Sequence, residues 1–255
     1  MTTVTFTTDF GKDGHNVAAL KGAILSGKPD CHFINISNEI YNYDIEHGAY
    51  VLENSYSFFP PNTIHLLLVN LFYAKKVRML LLKKNDNYFI APDNGVLSLL
   101  FEDLEIEEVW YLEYGNTAGD FYDVVASFIS GLEEEKPFDE LFLKATNITK
   151  KISLRPVFSG DSIRATVIFI DRFGNAIINI KKDYFENAAK GRNFRLYYSP
   201  KDYLDKIHKK YSDVPFGDEL CLFNSAGYLE IAINMDSAGN RLGLHKNFTV
   251  RIVFY

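Results

Sequence analysis

Residues 4 to 36 hold two short strand-like runs separated by one amphipathic helix, and this unit restricts the fold more than any other feature. VTFTT (4 to 8) alternates Val4 and Phe6 with polar residues, as a strand does. NVAALKGAILSG (16 to 27) places Val17, Leu20, Ala23, Ile24 and Gly27 at helical spacing, and CHFINI (31 to 36) reads as a second strand. A βαβ unit follows. Further along, DIEHGAYVLENSYSFF (44 to 59) reads as another amphipathic helix, TIHLLLVN (63 to 70) and VRMLLLK (77 to 83) as strongly apolar strands, and YFIAPDNGVLSLLF (88 to 101) as strand, turn and helix. The alternation predicts an N-terminal α/β layered domain with a mostly parallel sheet over residues 1–155.

The character changes after about residue 155. IRATVIFI (163 to 170), AIINI (176 to 180), NFRLYY (193 to 198), ELCLF (219 to 223), YLEIAIN (228 to 234) and FTVRIVF (248 to 254) are short strand-like runs, parted by turns rich in Gly, Asn, Asp and Pro. A short helical piece lies near 183 to 189. Residues 156–255 are therefore expected to form an all-β, barrel-like domain. The stretch GLEEEKPFDEL (131 to 141) reads as a solvated surface near the boundary.

Composition narrows the classes of partner. With 255 residues, 47% of them hydrophobic, the chain can bury a substantial core, and its net charge of −6 argues against a phosphate-backbone partner. No apolar run approaches the roughly 18 residues of a membrane span. The N-terminus lacks a signal-peptide pattern, and Cys31 and Cys221 lie far apart, which suits a reducing compartment. The expectation is a soluble cytoplasmic protein that binds neither nucleic acid nor membrane.

Several short motifs carry polar chemistry. Asp9 follows the first strand and precedes a glycine-containing turn, where a parallel sheet gathers its ligands and a carboxylate can meet a pair of sugar hydroxyls. Taken alone, the same aspartate reads first as a turn or cap residue. DFGKDG is neither GxGxxG nor a P-loop, so a dinucleotide or triphosphate is not indicated. APDNGVLS (91 to 98) reads as a turn and cap, and NSAGYLEIAIN (224 to 234) sets Ser225 in a turn before a strand. IDRFGNAIINI (170 to 180) places Asp171, Phe173 and Asn175 within five residues between two apolar runs. Such a segment is either an ordinary turn or a small-molecule site. No dense His, Cys or carboxylate cluster stands at ligand spacing, so no metal is expected.

Taken together, TFTTDFG, APDNGVLS, IDRFGNAIINI, YSDVPFGDE (211 to 219) and NSAGYLEIAIN, in this order, resemble the S-adenosylmethionine hydroxide adenosyltransferase family, whose relatives include fluorinase and chlorinase enzymes. The resemblance implies an N-terminal α/β domain, a C-terminal β-barrel and a homotrimer with each site between neighbouring subunits. It further implies that S-adenosylmethionine is substrate or ligand and that no other cofactor is used. By this likeness Asp9 holds the ribose hydroxyls, Asp171 meets the methionine ammonium and Ser225 meets the methionine carboxylate. Phe173 and Tyr211 lie on the two faces of adenine, and Asn175 hydrogen-bonds its edge.

The hydrolytic branch of that family also uses an aspartate, an arginine and a histidine, and here the pattern breaks. Asn70 stands at the aspartate position, Val77 at the arginine position with Arg78 one residue late, and Asn116 or Asp120 at the histidine position. Loop glycines become Phe72 and Ala74. No catalytic residue is assigned from the sequence. Asn70 could orient a water without taking its proton, and Asp120 could act as a base. The bulky LFYAKK segment disfavours the halogenase branch. Three functional readings remain: hydrolysis of S-adenosylmethionine to adenosine and methionine by water attack at C5′, non-catalytic binding of an adenosyl compound, or a trimeric scaffold whose old pocket is filled by Phe72, Tyr73 and Lys75. The histidines read as surface or packing residues, with His15 the one near Asp9.

Overall fold

A computed structural model describes residues 2–71, 77–112, 118–131 and 142–255. The expectations resting on Phe72, Tyr73, Ala74, Lys75, Asn116 and residues 132 to 141 lie outside the described residues. The chain divides into two compact units, Met1–Ser153 and Leu154–Tyr255.

In the first unit the order of elements is β1 (Thr3–Thr8), α1 (Asn16–Gly27), β2 (His32–Ser37), α2 (Ile45–Glu53), β3 (Ile64–Leu68), β4 (Met79–Lys84), β5 (Asn87–Pro92), α3 (Val96–Leu100), β6 (Val109–Leu112), α4 (Ala118–Gly131) and β7 (Leu143–Lys144). The sheet order is β2-β1-β3-β5-β4-β6-β7. Because β3 is buried along its whole length, its alternate side chains feed two separate cores. Leu66 and Leu68 join Val17, Leu20 and Ile24 of α1 and Val125 and Ile129 of α4, while Leu67 packs with Leu52 of α2 and Leu97 and Leu100 of α3. The sheet is thus covered by helices on both faces.

The expectation of a mostly parallel sheet is corrected. Strands β2, β1, β3 and β5 run parallel, but β4 is antiparallel to β5 and to β6, and β6 is antiparallel to β7, so the sheet is mixed. The cause is local. Only Asn85 and Asp86 separate β4 from β5, and both adopt positive φ, 52° and 60°. A two-residue turn of this kind closes a hairpin, whereas a parallel pair would need a crossover of a dozen or more residues. Residues 44 to 59 likewise do not form one helix: α2 stops at Glu53 and a separate 3₁₀ turn follows at Tyr56–Phe58. Asn54 Nδ2 donates to the Tyr50 carbonyl at 2.8 Å and Ser55 Oγ to that of Val51 at 2.7 Å. Their side chains thereby take up carbonyls of the last turn, and the helix ends there.

The second unit comprises β8 (Val157–Ser159), β9 (Ser162–Ile170), β10 (Ala176–Lys181), a helix Lys182–Ala189, β11 (Phe194–Tyr197), β12 (Tyr203–Leu204), β13 (Ile207–His208), β14 (Glu219–Phe223), β15 (Tyr228–Ile233), a helix Ala238–Leu242 and β16 (Thr249–Phe254). They build one sheet, β12-β11-β16-β9-β10-β15-β14-β13, with β8 beside β9. The sheet curls into a half-barrel whose concave face holds Ile163, Val167, Ile178, Ile231, Leu196 and Ile252. Phe185 of the helix Lys182–Ala189 plugs one end, edge-on to Phe194, Phe223 and Phe254. No helix among the described residues is long and apolar enough to cross a membrane.

His65, the second residue of β3, is a packing residue. It is fully buried, its Nδ1 shares a hydrogen bond of 2.7 Å with Thr5 Oγ1, and its ring stacks on Phe89 at 5.0 Å. Its Nε2 has no partner among the described residues, and burial pulls its pKa down to about 4. The folded protein therefore holds this ring neutral while the unfolded chain takes up a proton below about pH 6.5, so stability present above that pH is lost as pH falls toward about 4. The linkage amounts to about 3 kcal/mol at full extent. In denaturant titrations at pH 7.5 and 4.5, the double variant Thr5→Val/His65→Phe is expected to lose about 2 to 3 kcal/mol less on acidification than the parent. Equal losses would show that His65 does not contribute to the acid limb.

Candidate functional site

At the carboxyl ends of β1 and β3, the first unit draws Asp9 and Asn70 together. Asp9 Oδ2 accepts the backbone N–H of Tyr43 at 2.9 Å and that of Asn70 at 3.0 Å. Both donors sit in the left-handed region, with φ of 66° and 53°. An asparagine tolerates this conformation well and a tyrosine poorly. Asn94 Nδ2 donates to the Val69 carbonyl at 3.0 Å, so the end of β3 is held from two sides. Beside Asp9 lies a hollow of about 480 Å³ lined by Gly11, Asn38, Glu39, Ile40, Tyr41 and Asn42. His15 is exposed at the start of α1 and makes no capping bond. Asp120 lies in the first turn of α4, partly buried.

Arg78 has a structural partner. Its Nε donates to Asp93 Oδ2 at 2.6 Å, a second guanidinium nitrogen binds the same oxygen, and the group lies 4.8 Å over the Tyr111 ring. Asp93 Oδ1 accepts the Thr149 N–H at 2.6 Å, and Tyr111 Oη donates to the Asn147 carbonyl at 2.6 Å. With Asp93 only 1% exposed, this is a tie between β4, β5, β6 and the chain after β7. The APDNGVLS segment is the turn its sequence suggests, with Asn94 Oδ1 accepting the Val96 N–H at 3.2 Å. Asp93→Ala strands both the Thr149 N–H and the guanidinium, and is expected to cost about 3 kcal/mol in urea unfolding. A cost below about 1 kcal/mol would mean that the tie is not structural.

In the second unit, the β9–β10 connection is a turn closed by its own aspartate. Asp171 Oδ1 accepts the N–H groups of Phe173 at 2.9 Å and Asn175 at 2.8 Å, and Asn175 Nδ2 donates to Asp171 Oδ2 at 3.0 Å. The backbone closes as well: the Asp171 N–H reaches the Asn175 carbonyl at 2.9 Å. A carboxylate offers about four acceptor positions, so roughly one of Asp171 remains for a ligand. The turn presents Phe173 to solvent, 81% exposed, while Asn175 is buried. The two readings of this segment are therefore compatible: the residues that build the turn also leave a ring, an amide and a carboxylate oxygen in fixed positions.

Tyr211 opens a 3₁₀ turn, Tyr211–Asp213, and its hydroxyl donates to Glu230 Oε1 at 2.8 Å. The phenol is pushed up by burial and by the Glu230 carboxylate, with the charge of Asp171 adding to the effect. Glu230 is raised by burial and again by Asp171, so these three groups lie within electrostatic reach of one another. Ser225 is exposed in the β14–β15 turn, which Asn224 organises by accepting the N–H groups of Ala226 at 3.0 Å and Tyr228 at 3.1 Å. Asn224 also hydrogen-bonds Glu230. Asp171, Phe173 and Asn175 thus share the β9–β10 turn, and Tyr211 is tied to the same region through Glu230 and the charge of Asp171. Ser225 lies in the β14–β15 turn at the other end of the β10–β15 ladder, where Tyr228 pairs with Lys181, and Asp9 belongs to the other unit. Sequence reasoning overlooked Glu230 and Asn224. The available signal was a charge at an otherwise apolar strand position in YLEIAIN.

The sequence profile of the SAM hydroxide adenosyltransferase N-terminal domain matches residues 4–140, and that of the C-terminal domain matches residues 165–251. The chain belongs to this family. A similar protein is the (R)-S-adenosyl-L-methionine hydrolase of Methanocaldococcus jannaschii, 32% identical over 98% of this chain and 95% of its own. A fluorinase of an Actinoplanes species is 24% identical over 98% of this chain and 96% of its own. Among solved structures, an uncharacterized conserved protein from Thermotoga maritima superposes with a TM-score of 0.82 at 26% identity, covering 99% of this chain and all of that one.

Gly174 of this family member supports the turn through space as well as φ. It has a φ of 84°, and a Cβ there would meet Ser237 Oγ at 2.1 Å and its Cα at 2.8 Å. Gly191 has a similar φ of 76° with open space around it. Gly191→Ala is expected to cost about 1 kcal/mol through φ alone, and Gly174→Ala at least about 2 kcal/mol more through the clash. Thermal or urea unfolding of the pair measures the difference, and equal costs would remove the packing argument.

Proposed function

We propose that this protein hydrolyses S-adenosylmethionine to adenosine and methionine. The observation that carries the reading is the preorganised Asp171–Asn175 turn, in a chain similar from end to end to a protein named (R)-S-adenosyl-L-methionine hydrolase. The ring of Phe173 and that of Tyr211 offer apolar faces to adenine, and the Asn175 amide offers a donor and an acceptor to its edge. Asp171 and Ser225 take the methionine ammonium and carboxylate, and Asp9 the ribose hydroxyls. Water oxygen bonds to C5′ as the C5′–S bond breaks, the bonding pair leaves on sulfur as a neutral thioether, and the water proton passes to solvent.

Asn70, in the place of the family aspartate, orients the water without accepting its proton, and Arg78, bound to Asp93, takes no part. The consequence is a slow reaction. A positioned base is worth about 10²- to 10⁴-fold, whereas alignment of the reactants can be worth more. The sulfonium is already an activated leaving group. The working form is a cytoplasmic homotrimer that needs neither metal nor further cofactor. Exposed Phe173, Phe216 and Met235, gathered by hydrogen bonds between Gly217 and Asn234 and between Gly239 and Gly174, support an interface at that end of the second unit.

Incubation with S-adenosylmethionine in ¹⁸O-water is expected to yield methionine and adenosine carrying the label at O5′. Asn175→Ala should raise KM about tenfold. No adenosine above a buffer blank, with heat still released on ligand titration, would make the protein a non-catalytic binder.

A further inference from the structure

Glu230 sits where an apolar residue belongs. On β15, Leu229, Ile231 and Ile233 face the main core, while Glu230 and Ala232 face the opposite way. Across the ladder Glu230 lies opposite Ile177 on β10 and Leu222 on β14, and the 3₁₀ turn beginning at Tyr211 lies against the same face, where Val214 packs with Leu220, Leu222 and Ala232. The residue is only 2% exposed. Its bonds are to the Tyr211 hydroxyl and the Asn224 side chain, and the one charge acting on it is that of Asp171, another carboxylate. Among the described residues no lysine, arginine or histidine offsets it.

A buried carboxylate is costly unless a cation compensates it. A glutamine at this position would accept the same bond from Tyr211 with no charge to desolvate. Holding Tyr211 therefore explains a polar side chain at 230 but not a charged one. Asp171 gives most of its acceptor capacity to its own turn.

We infer that Glu230 is a positioning and specificity-determining residue: it fixes Tyr211 through the hydroxyl, and its uncompensated charge selects an adenosyl ligand bearing a positive charge over a neutral nucleoside. The inference rests on the reading of this site as one for S-adenosylmethionine, whose ammonium and sulfonium outnumber its single carboxylate. In such a complex the ligand supplies the cation that the fold withholds. Adenosine, lacking both cations, gains nothing from the charge.

Calorimetric titration of S-adenosylmethionine and of adenosine into the full chain, Glu230→Gln and Glu230→Ala tests this, with thermal unfolding confirming that each variant is folded. Glu230→Gln keeps an acceptor for Tyr211. It is expected to weaken S-adenosylmethionine about tenfold while leaving adenosine within about twofold, a split that a purely structural role would not produce. Glu230→Ala frees Tyr211 and is expected to weaken both ligands about tenfold or more. Equal losses for the two ligands in Glu230→Gln, or no loss in either, overturn the inference while leaving the site reading intact. Failure of the unmodified chain to bind either ligand overturns both.

Discussion

Where a strand ends, its flanking N–H groups need acceptors, and in this protein short acidic side chains supply them. Asp9, just past β1, takes the N–H groups of Tyr43 in the β2–α2 loop and of Asn70 past β3, Asp93 takes the Thr149 N–H, and Asp171 takes those of Phe173 and Asn175. Leaving one buried donor unpaired costs about 1 to 3 kcal/mol, so these carboxylates set loop conformations as firmly as packing sets the strands. Each captured loop carries residues of interest at its tip. The loops could not hold their positions if the aspartates were absent.

This arrangement makes one side chain serve two ends. Asp171 builds the turn and retains roughly one acceptor position outward, and Asp9 keeps Oδ1 clear of the two amides that engage Oδ2. Residues at these positions therefore carry a structural role alongside any role toward a ligand. Arg78 shows the converse. Read from the sequence as one position late for the family arginine, it joins the Asp93 and Tyr111 cluster, where it stabilises the sheet.

The layered nature of the first unit and the run of short strands in the second were legible because burial imposes periods of 3.6 and 2 on the sequence. Turn positions were legible too, since Asn, Asp and Gly at NSAG and APDNG have local reasons to be there. Strand direction in β4 was not read, although the two-residue Asn85–Asp86 spacer carried the information, because apolar runs look alike whichever way they point. The premature end of α2 was missed for a related reason: Asn54 and Ser55 stop a helix only through the carbonyls they capture. Tertiary pairings such as Glu230 with Tyr211, or Arg78 with Asp93, join residues 19 and 15 positions apart and leave no local trace.

The tight β4–β5 hairpin also bears on how the first unit assembles. Its ends close over two residues, whereas joining β1 to β3 closes a loop of more than fifty. Chain entropy favours the short closure, and hairpins form in roughly 1–10 μs. The antiparallel half of this sheet can therefore nucleate early and offer β5 as a ready edge onto which the slower, parallel strands dock.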